Sequence, residues 1–259
     1  MENKEKDLEK IMAENQQLRV ENIQNTLIIK KFKSLARVLS HDLRSPIASS
    51  ITCLELCLEM IKEENVVNKD MTMFLSMAAE QNRNLLVLVD NLLIWSRMQI
   101  DGLQPKQEKM DLKNIIADTI SPCMLSCLSK GINVRFDVTD ISVVTDKSIF
   151  QLIIRNLFTN AVKFTPKNGN ITIVAQKHDD HVSVVITDNG IGMTQEKIKK
   201  IFESVGDLSR GTEGEKGTGL GLSICQDLAE KAGILISVDS EGEGKGSSFT
   251  VSLPKQKKK

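Results

Sequence analysis

Residues 156–166 read NLFTNAVKFTP, and the rest of the fold is organised around this run. A helix is expected over 147–163, on which Asn156, Asn160 and Lys163 stand at i, i+4 and i+7 and share one face. Two amides and an ammonium are poor core material. They suit a hydrated Mg²⁺ and its phosphates, because magnesium takes one or two oxygen ligands from protein and keeps water and phosphate for the rest. A polar face turned to solvent is the other reading of the same spacing.

On both sides of this helix the texture is mixed α/β. Further helices are expected over 112–129, 194–201 and 219–232, and strands over 132–138, 141–145, 170–176, 182–188, 234–239 and 248–253. The strands 170–176 and 182–188 are joined by KHDDH, a hairpin signal. The order of elements predicts helices stacked on one face of a mixed sheet. Two glycine boxes punctuate it. Asp188-Asn189-Gly190-Ile191-Gly192-Met193 ends an apolar strand, where a carboxylate beside two glycines can accept from an exocyclic amine. A tight turn is the bland reading of that box. Gly217-Thr218-Gly219-Leu220-Gly221-Leu222 opens a helix, whose first N–H groups and bare backbone suit phosphate. Six glycines fall between Gly206 and Gly221, yet no G-x-x-x-x-G-K-[ST] loop occurs in the chain.

The N-terminal part has a different texture. Apolar residues at 3–4 spacing, among them Leu8, Ile11, Leu18, Ile29 and Leu39, predict one long helix over 5–62. Asn15, Asn22 and Asn25 fall on the same frame, the pattern of a parallel two-stranded coiled coil whose buried Asn fixes register. A second amphipathic helix is expected over 71–100, after the break ENVVNKD. Two such hairpins from two chains would close a four-helix bundle. DGLQPK, at 101–106, reads as a linker.

Within the first helix lies Ser40-His41-Asp42-Leu43-Arg44-Ser45-Pro46. The local apolar stripe runs through Leu39, Leu43, Ile47, Ile51, Leu54 and Leu58. At about 100° per residue, His41 lies about 130° from the centre of that stripe and so points outward. Asp42 can hold its Nδ1–H, leaving Nε2 as a nucleophile. Pro46 strains the turn at Asp42, because a helical proline clashes with the carbonyl four residues back.

Composition removes other classes. Lys+Arg and Asp+Glu are each 34, so bulk charge does not favour nucleic acid. No apolar run approaches the roughly 20 residues needed to span a bilayer, and MENKEKDLEK has no apolar signal region. Five cysteines without such a region are expected to be reduced thiols. Cys53/Cys57 and Cys123/Cys127 stand at i, i+4, a spacing compatible with a metal but expected here to be packing. His178 and His181 flank the hairpin turn and are expected in solvent, as is the basic tail KQKKK.

The ordered set HDLRSP, NLFTNAVKF, DNGIGM and GTGLGL resembles a two-component sensor histidine kinase. The resemblance implies a dimerisation and phosphoacceptor hairpin followed by the ATP-binding domain of the gyrase, Hsp90 and MutL superfamily. The implied fold is α plus α/β: an N-terminal coiled coil and a helical hairpin forming a dimeric four-helix bundle, then an α/β sandwich. The domains are a coiled-coil signalling helix over 1–30, the phosphotransfer hairpin over 31–103 and the ATP-binding domain over 104–255.

By motif position, the resemblance makes His41 the phosphoacceptor and Asp42 its acidic partner. Asn160 is the Mg²⁺ ligand, Asn156 stands beside it, Lys163 contacts phosphate and Phe164 lines the pocket. Asp188 reads adenine above the turn of Gly190 and Gly192. Gly217, Thr218, Gly219, Leu220 and Gly221 form the second glycine box, which ends the lid, and Phe202 sits in the lid's short aromatic box. Two departures stand out. Ser45 occupies the position, four after the histidine, where many relatives with phosphatase activity carry Thr or Asn. The lid lacks the aromatic–Arg run common in the family, leaving Arg210 and Lys216 as candidates for the γ-phosphate.

The implied function is autophosphorylation of His41 from Mg·ATP, followed by transfer to an aspartate on a separate response regulator. A receiver domain of some 120 residues does not fit within this chain. The implied partners are a second copy and that receiver domain, with no nucleic acid and no membrane contact within this chain. The implied location is cytoplasmic, either as a free kinase or as the cytoplasmic part of a membrane-bound sensor. A scaffold that binds ATP without kinase activity, and an ATPase of the same superfamily, are the rival readings. The intact His41, Asp42, Asn160 and Lys163 argue against the first, and the phosphoacceptor hairpin against the second.

Overall fold

A computed structural model describes residues 104–202, 211–213, 215 and 221–255, together with residues 12, 15–19, 47–59, 74–75, 78, 82, 85 and 89 of the N-terminal part. The chain divides into two compact units, Met1–Asn82 and Arg83–Lys259. Among the described residues no helix is long and apolar enough to cross a membrane.

In the first unit residues 15–19 and 47–59 are helical; most of the coiled coil expected over 1–30 and of the hairpin over 31–103 lies outside the described residues. The 47–59 helix buries its small-residue face, Ser50, Cys53 and Cys57. Asn82, from a second helical segment, donates through Nδ2 to Ser50 Oγ at 2.8 Å. The stripe expected to be core does the opposite within one chain. Ile47, Ile51, Leu54 and Leu58 are exposed, Ile51 by 50% and Leu58 by 58%.

The second unit carries β1 (Glu108–Asp111), α1 (Leu112–Ile120), α2 (Met124–Lys130), β2 (Asn133–Asp137), β3 (Ser142–Thr145) and α3 (Lys147–Phe164). It continues through β4 (Asn170–Lys177), β5 (His181–Asp188), α4 (Gln195–Lys200), α5 (Gly221–Ala232), β6 (Leu235–Asp239) and β7 (Ser247–Pro254). The main sheet runs β2-β4-β5-β7-β6, and β1 pairs with β3 in a separate two-stranded sheet. β2 and β4 are parallel, while the other main-sheet pairs are antiparallel.

Two expectations need correction. The helix expected over 112–129 is broken into α1 and α2 by a 3₁₀ turn at Ser121–Cys123, because Pro122 removes a backbone donor and suits only the first turn of a new helix. The strand expected over 141–145 leaves the main sheet and pairs Glu108↔Thr145 through Asp111↔Ser142 with β1, which had no alternating pattern to announce it.

Register explains the two layers. Opposite residues in successive strands form rows on one face, such as Phe136–Ile173–Ile186–Phe249 and Ala175–Val184–Val251–Ile236. Ile173, Ile186, Val184 and Val251 on these rows are fully buried. The alternate positions face outward with polar pairs, as where Thr187 Oγ1 and Ser248 Oγ share a 2.8 Å hydrogen bond. α3 lies at the centre of the helical layer, packed against α1, α5 and β5. Ile149, Phe150, Ile153, Ile154, Leu157 and Phe158 on its inner side are fully buried. Asp146 starts it, accepting from the Ile149 N–H at 3.0 Å as an N-cap.

Candidate functional site

The site grows from the point where α3 stops. Pro166 disfavours helical backbone at the residue before it, and Thr165 is accordingly extended, at φ −83 and ψ 131. The carbonyls of the last turn then lack partners from their own helix. Three distant segments supply them. Ile191 N–H donates to Phe164 O at 3.2 Å. Lys130 Nζ donates to Val162 O at 2.9 Å and to Lys163 O at 3.2 Å. Thr212 donates through its N–H to Lys163 O at 3.1 Å and through Oγ1 to Thr165 O at 2.9 Å.

Asp188 is the last residue of β5, on the row Ile171–Asp188–Ser247 of the helix-facing side. The alternation that buries Ile186 and Val184 therefore buries a carboxylate, 4% exposed. Its Oδ1 accepts from Gly190 N–H at 2.8 Å and its Oδ2 from Ser247 Oγ at 2.6 Å. Burial pushes the Asp188 carboxyl above the usual range, opposed by hydrogen bonds from the Ser247 hydroxyl and from the backbone of Gly190 and Ser247. Three donors on a carboxylate with roughly four acceptor positions leave room for one more N–H.

Gly190 is required here. A Cβ on it would collide with the Phe164 carbonyl oxygen, so the turn after Asp188 lies flat against the end of α3. Gly192 takes φ +65 against the Gly242 carbonyl, in a conformation that disfavours other residues. The β6–β7 turn closes over this loop: Gly246 N–H donates to Gly190 O at 3.0 Å, and Ser240 Oγ receives Met193 N–H at 3.0 Å.

Along α3, Asn156, Asn160, Lys163 and Phe164 are half-buried beside the fully or nearly buried Leu157, Phe158, Ala161 and Val162, as the helical spacing required. Asn156 donates through Nδ2 to Leu152 O at 3.0 Å. Its Oδ1 meets the start of α5 so closely that a Cβ on Gly221 would come within 2.5 Å. The Lys163 ammonium lies 4.7 Å from the centre of the Phe164 ring. Burial lowers the Lys163 pKa, Glu215 opposes that, and Lys197 on α4 lowers it further. Lys163 and Lys197 thus lie close enough to repel, which is the condition an anion relieves.

The structure brings Asn156 to Gly221, and Asp188 and Gly190 to the end of α3 at Phe164; Phe202 is half-buried beyond α4. His41, Asp42, Ser45, Arg210, Lys216, Gly217, Thr218, Gly219 and Leu220 lie outside the described residues. Lys130, Ser247 and Lys197 were missed. Ser247 follows EGEGKG, a glycine cluster that signals a turn but not its partner, and Lys130 precedes Gly131 with nothing local to mark it. Among the described residues no group of three or more His, Cys, Asp or Glu is placed to hold a metal. Cys53, Cys57, Cys127 and Cys225 are buried and Cys123 is half-buried, and burial pushes the Cys127 thiol up to about 11. His178 and His181 stack, their ring centres 4.3 Å apart.

Asp188→Asn tests the buried carboxylate. The folded state holds its proton more tightly than the unfolded chain, so the wild-type contribution is present below the ordinary carboxyl pKa and is lost as pH rises through the raised folded value. The Tm of Asp188→Asn relative to wild type should therefore climb as pH is raised from about 4 to about 7. Its affinity for Mg·ATP should fall roughly tenfold or more, because the amide donates where the carboxylate accepts. Unchanged affinity would remove Asp188 from the site, and a Tm difference independent of pH would show that burial does not raise its pKa.

The comparisons agree with this geometry. Residues 145–257 match the model of the histidine kinase-, DNA gyrase B- and HSP90-like ATPase family. The adaptive-response sensory kinase SasA of Crocosphaera subtropica is 31% identical over 90% of this chain and 62% of its own length. The solved catalytic domain of the histidine kinase ThkA is 25% identical, covers 58% of this chain and 96% of its own, and superposes with a TM-score of 0.51. A structure of ThkA in complex with the response regulator protein TrrA covers 88% of this chain and 64% of its own, at 20% identity and a TM-score of 0.62. The chain spans 47%, 62% and 56% of three curated sensor kinases that it matches, about half their length. Its second unit is an ATP-binding α/β sandwich of the histidine kinase-, gyrase- and HSP90-like family, and the chain is similar in sequence to two-component sensor histidine kinases.

Proposed function

We propose that the chain is a sensor histidine kinase that autophosphorylates His41 from Mg·ATP and passes the phosphoryl group to an aspartate of a separate response regulator. The observation that carries this reading is the buried Asp188 at the foot of a glycine turn pressed against the end of α3. It supplies an acceptor for the exocyclic amine of adenine. From there the Asn156, Asn160 and Lys163 face runs along α3 toward Gly221. An amide oxygen is a hard ligand, so Asn160 suits Mg²⁺ with the remaining positions left to phosphate and water. Bound there, the ion would screen the charge of the phosphates. Lys163 adds a cation whose lowered pKa a phosphate would restore.

For the chemical step, Nε2 of His41 forms a bond to the terminal phosphorus while the bond to the bridging oxygen of the leaving diphosphate breaks. Asp42 accepts the Nδ1–H and steadies the ring. The protein mainly positions donor and acceptor and offsets charge. The named complex of ThkA with a response regulator supports a receiver domain as the next acceptor.

A homodimer completes the reading. Ile47, Ile51, Leu54 and Leu58 recur at i, i+4, i+7 and i+11 on an exposed helical face, an apolar stripe that a second copy would cover as a four-helix bundle. The chain would act in the cytoplasm, on its own or as part of a longer membrane-bound sensor.

Two experiments test this. With Mg²⁺ and γ-labelled ATP the chain should acquire an acid-labile, alkali-stable label that His41→Gln abolishes while still binding ATP; label persisting on a histidine in that variant would contradict the assignment. Ile51→Glu should convert a dimer to monomer in light scattering, and an unchanged dimer would place the interface elsewhere.

A further inference from the structure

Lys130 is 8% exposed, an unusual place for a lysine without partners. Its ammonium has four acceptors: Val162 O at 2.9 Å, Lys163 O at 3.2 Å, Thr212 Oγ1 at 2.8 Å and Glu215 Oε1 at 2.8 Å. Three N–H donors are therefore fully used, one of them shared. The partners belong to two chain segments. Val162 and Lys163 close α3, at the negative end of its dipole, where a cation is favoured. Thr212 and Glu215 belong to the glycine-rich turn that follows α4.

That turn is itself organised around Glu215. Its Oε2 accepts from Glu213 N–H at 2.8 Å, and Gly211 N–H donates to Glu215 O at 2.8 Å. Burial pushes the Glu215 carboxyl up, but the hydrogen bonds from Lys130 and the turn outweigh it and leave the group below its ordinary value. Glu215 also raises the pKa of Lys163, so one carboxylate is placed between two lysines.

We propose that Lys130 is a positioning residue for the triphosphate: it clamps Glu215 and Thr212 onto the last turn of α3 and so fixes both the backbone and the charge environment of Lys163. The inference rests on the nucleotide-site reading above. Without either end of the Lys130–Glu215 ion pair, the segment of Thr212 and Glu215 loses its hold on the last turn of α3. The carbonyls of Val162 and Lys163 lose a donor at the same time, so the Lys163 side chain starts from a less defined point. Adenine, held at Asp188, is outside this network.

The test measures Mg·ATP and adenosine binding to the full chain by calorimetry and NMR titration, well below each variant's Tm. Lys130→Met and Glu215→Gln should each weaken Mg·ATP roughly tenfold, leave adenosine affinity unchanged, and show no further loss when combined. Lys130→Arg, which keeps the charge and the donors, should recover part of the loss. Mg·ATP affinity unchanged from wild type in both single variants, whatever their Tm, would overturn the proposal. So would a parallel loss of adenosine affinity, which marks general destabilisation, or losses that multiply in the double variant. If Lys130→Met does not fold, Glu215→Gln and Thr212→Val, on the half-buried turn, decide by the same criteria. Failure of the wild-type chain to bind Mg·ATP would remove the nucleotide reading itself, whereas normal wild-type binding with unaffected variants removes only the role of Lys130.

Discussion

The end of α3 is the constraint on which the second unit depends. A helix that finishes inside a protein must find partners for its last carbonyls, and here Pro166 prevents the chain from supplying them by a continued turn. The partners come from the glycine turn at Ile191, from the buried Lys130 at the end of α2, and from Thr212. Each of these donors lies far from α3 in sequence, so satisfying one helix terminus draws three segments to a single place. A binding site assembled there is a consequence of backbone accounting as much as of any functional side chain.

The sheet contributes the second element. Its buried rows are aliphatic until the end of β5, where the same alternation that placed Ile186 inward places Asp188 inward two residues later. The carboxylate is desolvated by its position and steadied by Gly190 and Ser247. An interior acid of this kind costs stability when ionised. It persists where a ligand donor completes its hydrogen bonds. Lys163, its pKa lowered by burial and by the nearby Lys197, has the same character with the opposite sign.

Much of this was legible in the residues. The face of Asn156, Asn160 and Lys163 and the box DNGIGM are local patterns, and both helix and strand appear where their periodicity put them. The break at Pro122 was also local but was hidden beneath a run of aliphatic residues that continues across it. The β1–β3 sheet was not legible, because four residues reading EKMD carry no alternation and gain their structure from pairing. Lys130 and Ser247 could not be read at all. Their meaning lies in contacts to residues tens of positions away, such as Lys130 to Glu215 and Ser247 to Asp188, and single-residue chemistry does not announce a distant partner. The apolar stripe of the first unit was legible as a stripe, though one chain alone leaves it exposed.

The central claim is that a buried carboxylate at Asp188 reads an exocyclic amine on a nucleotide held against α3. It is tested most directly by competition between ATP and GTP for the site, with Mg²⁺ present and a fluorescent ATP analogue as the reporter. Guanine presents a carbonyl at the ring position where adenine carries its amine, and a carboxylate facing that carbonyl repels it. The account predicts that ATP displaces the reporter and that GTP does so at least roughly tenfold less effectively. Equal displacement by the two nucleotides would contradict it.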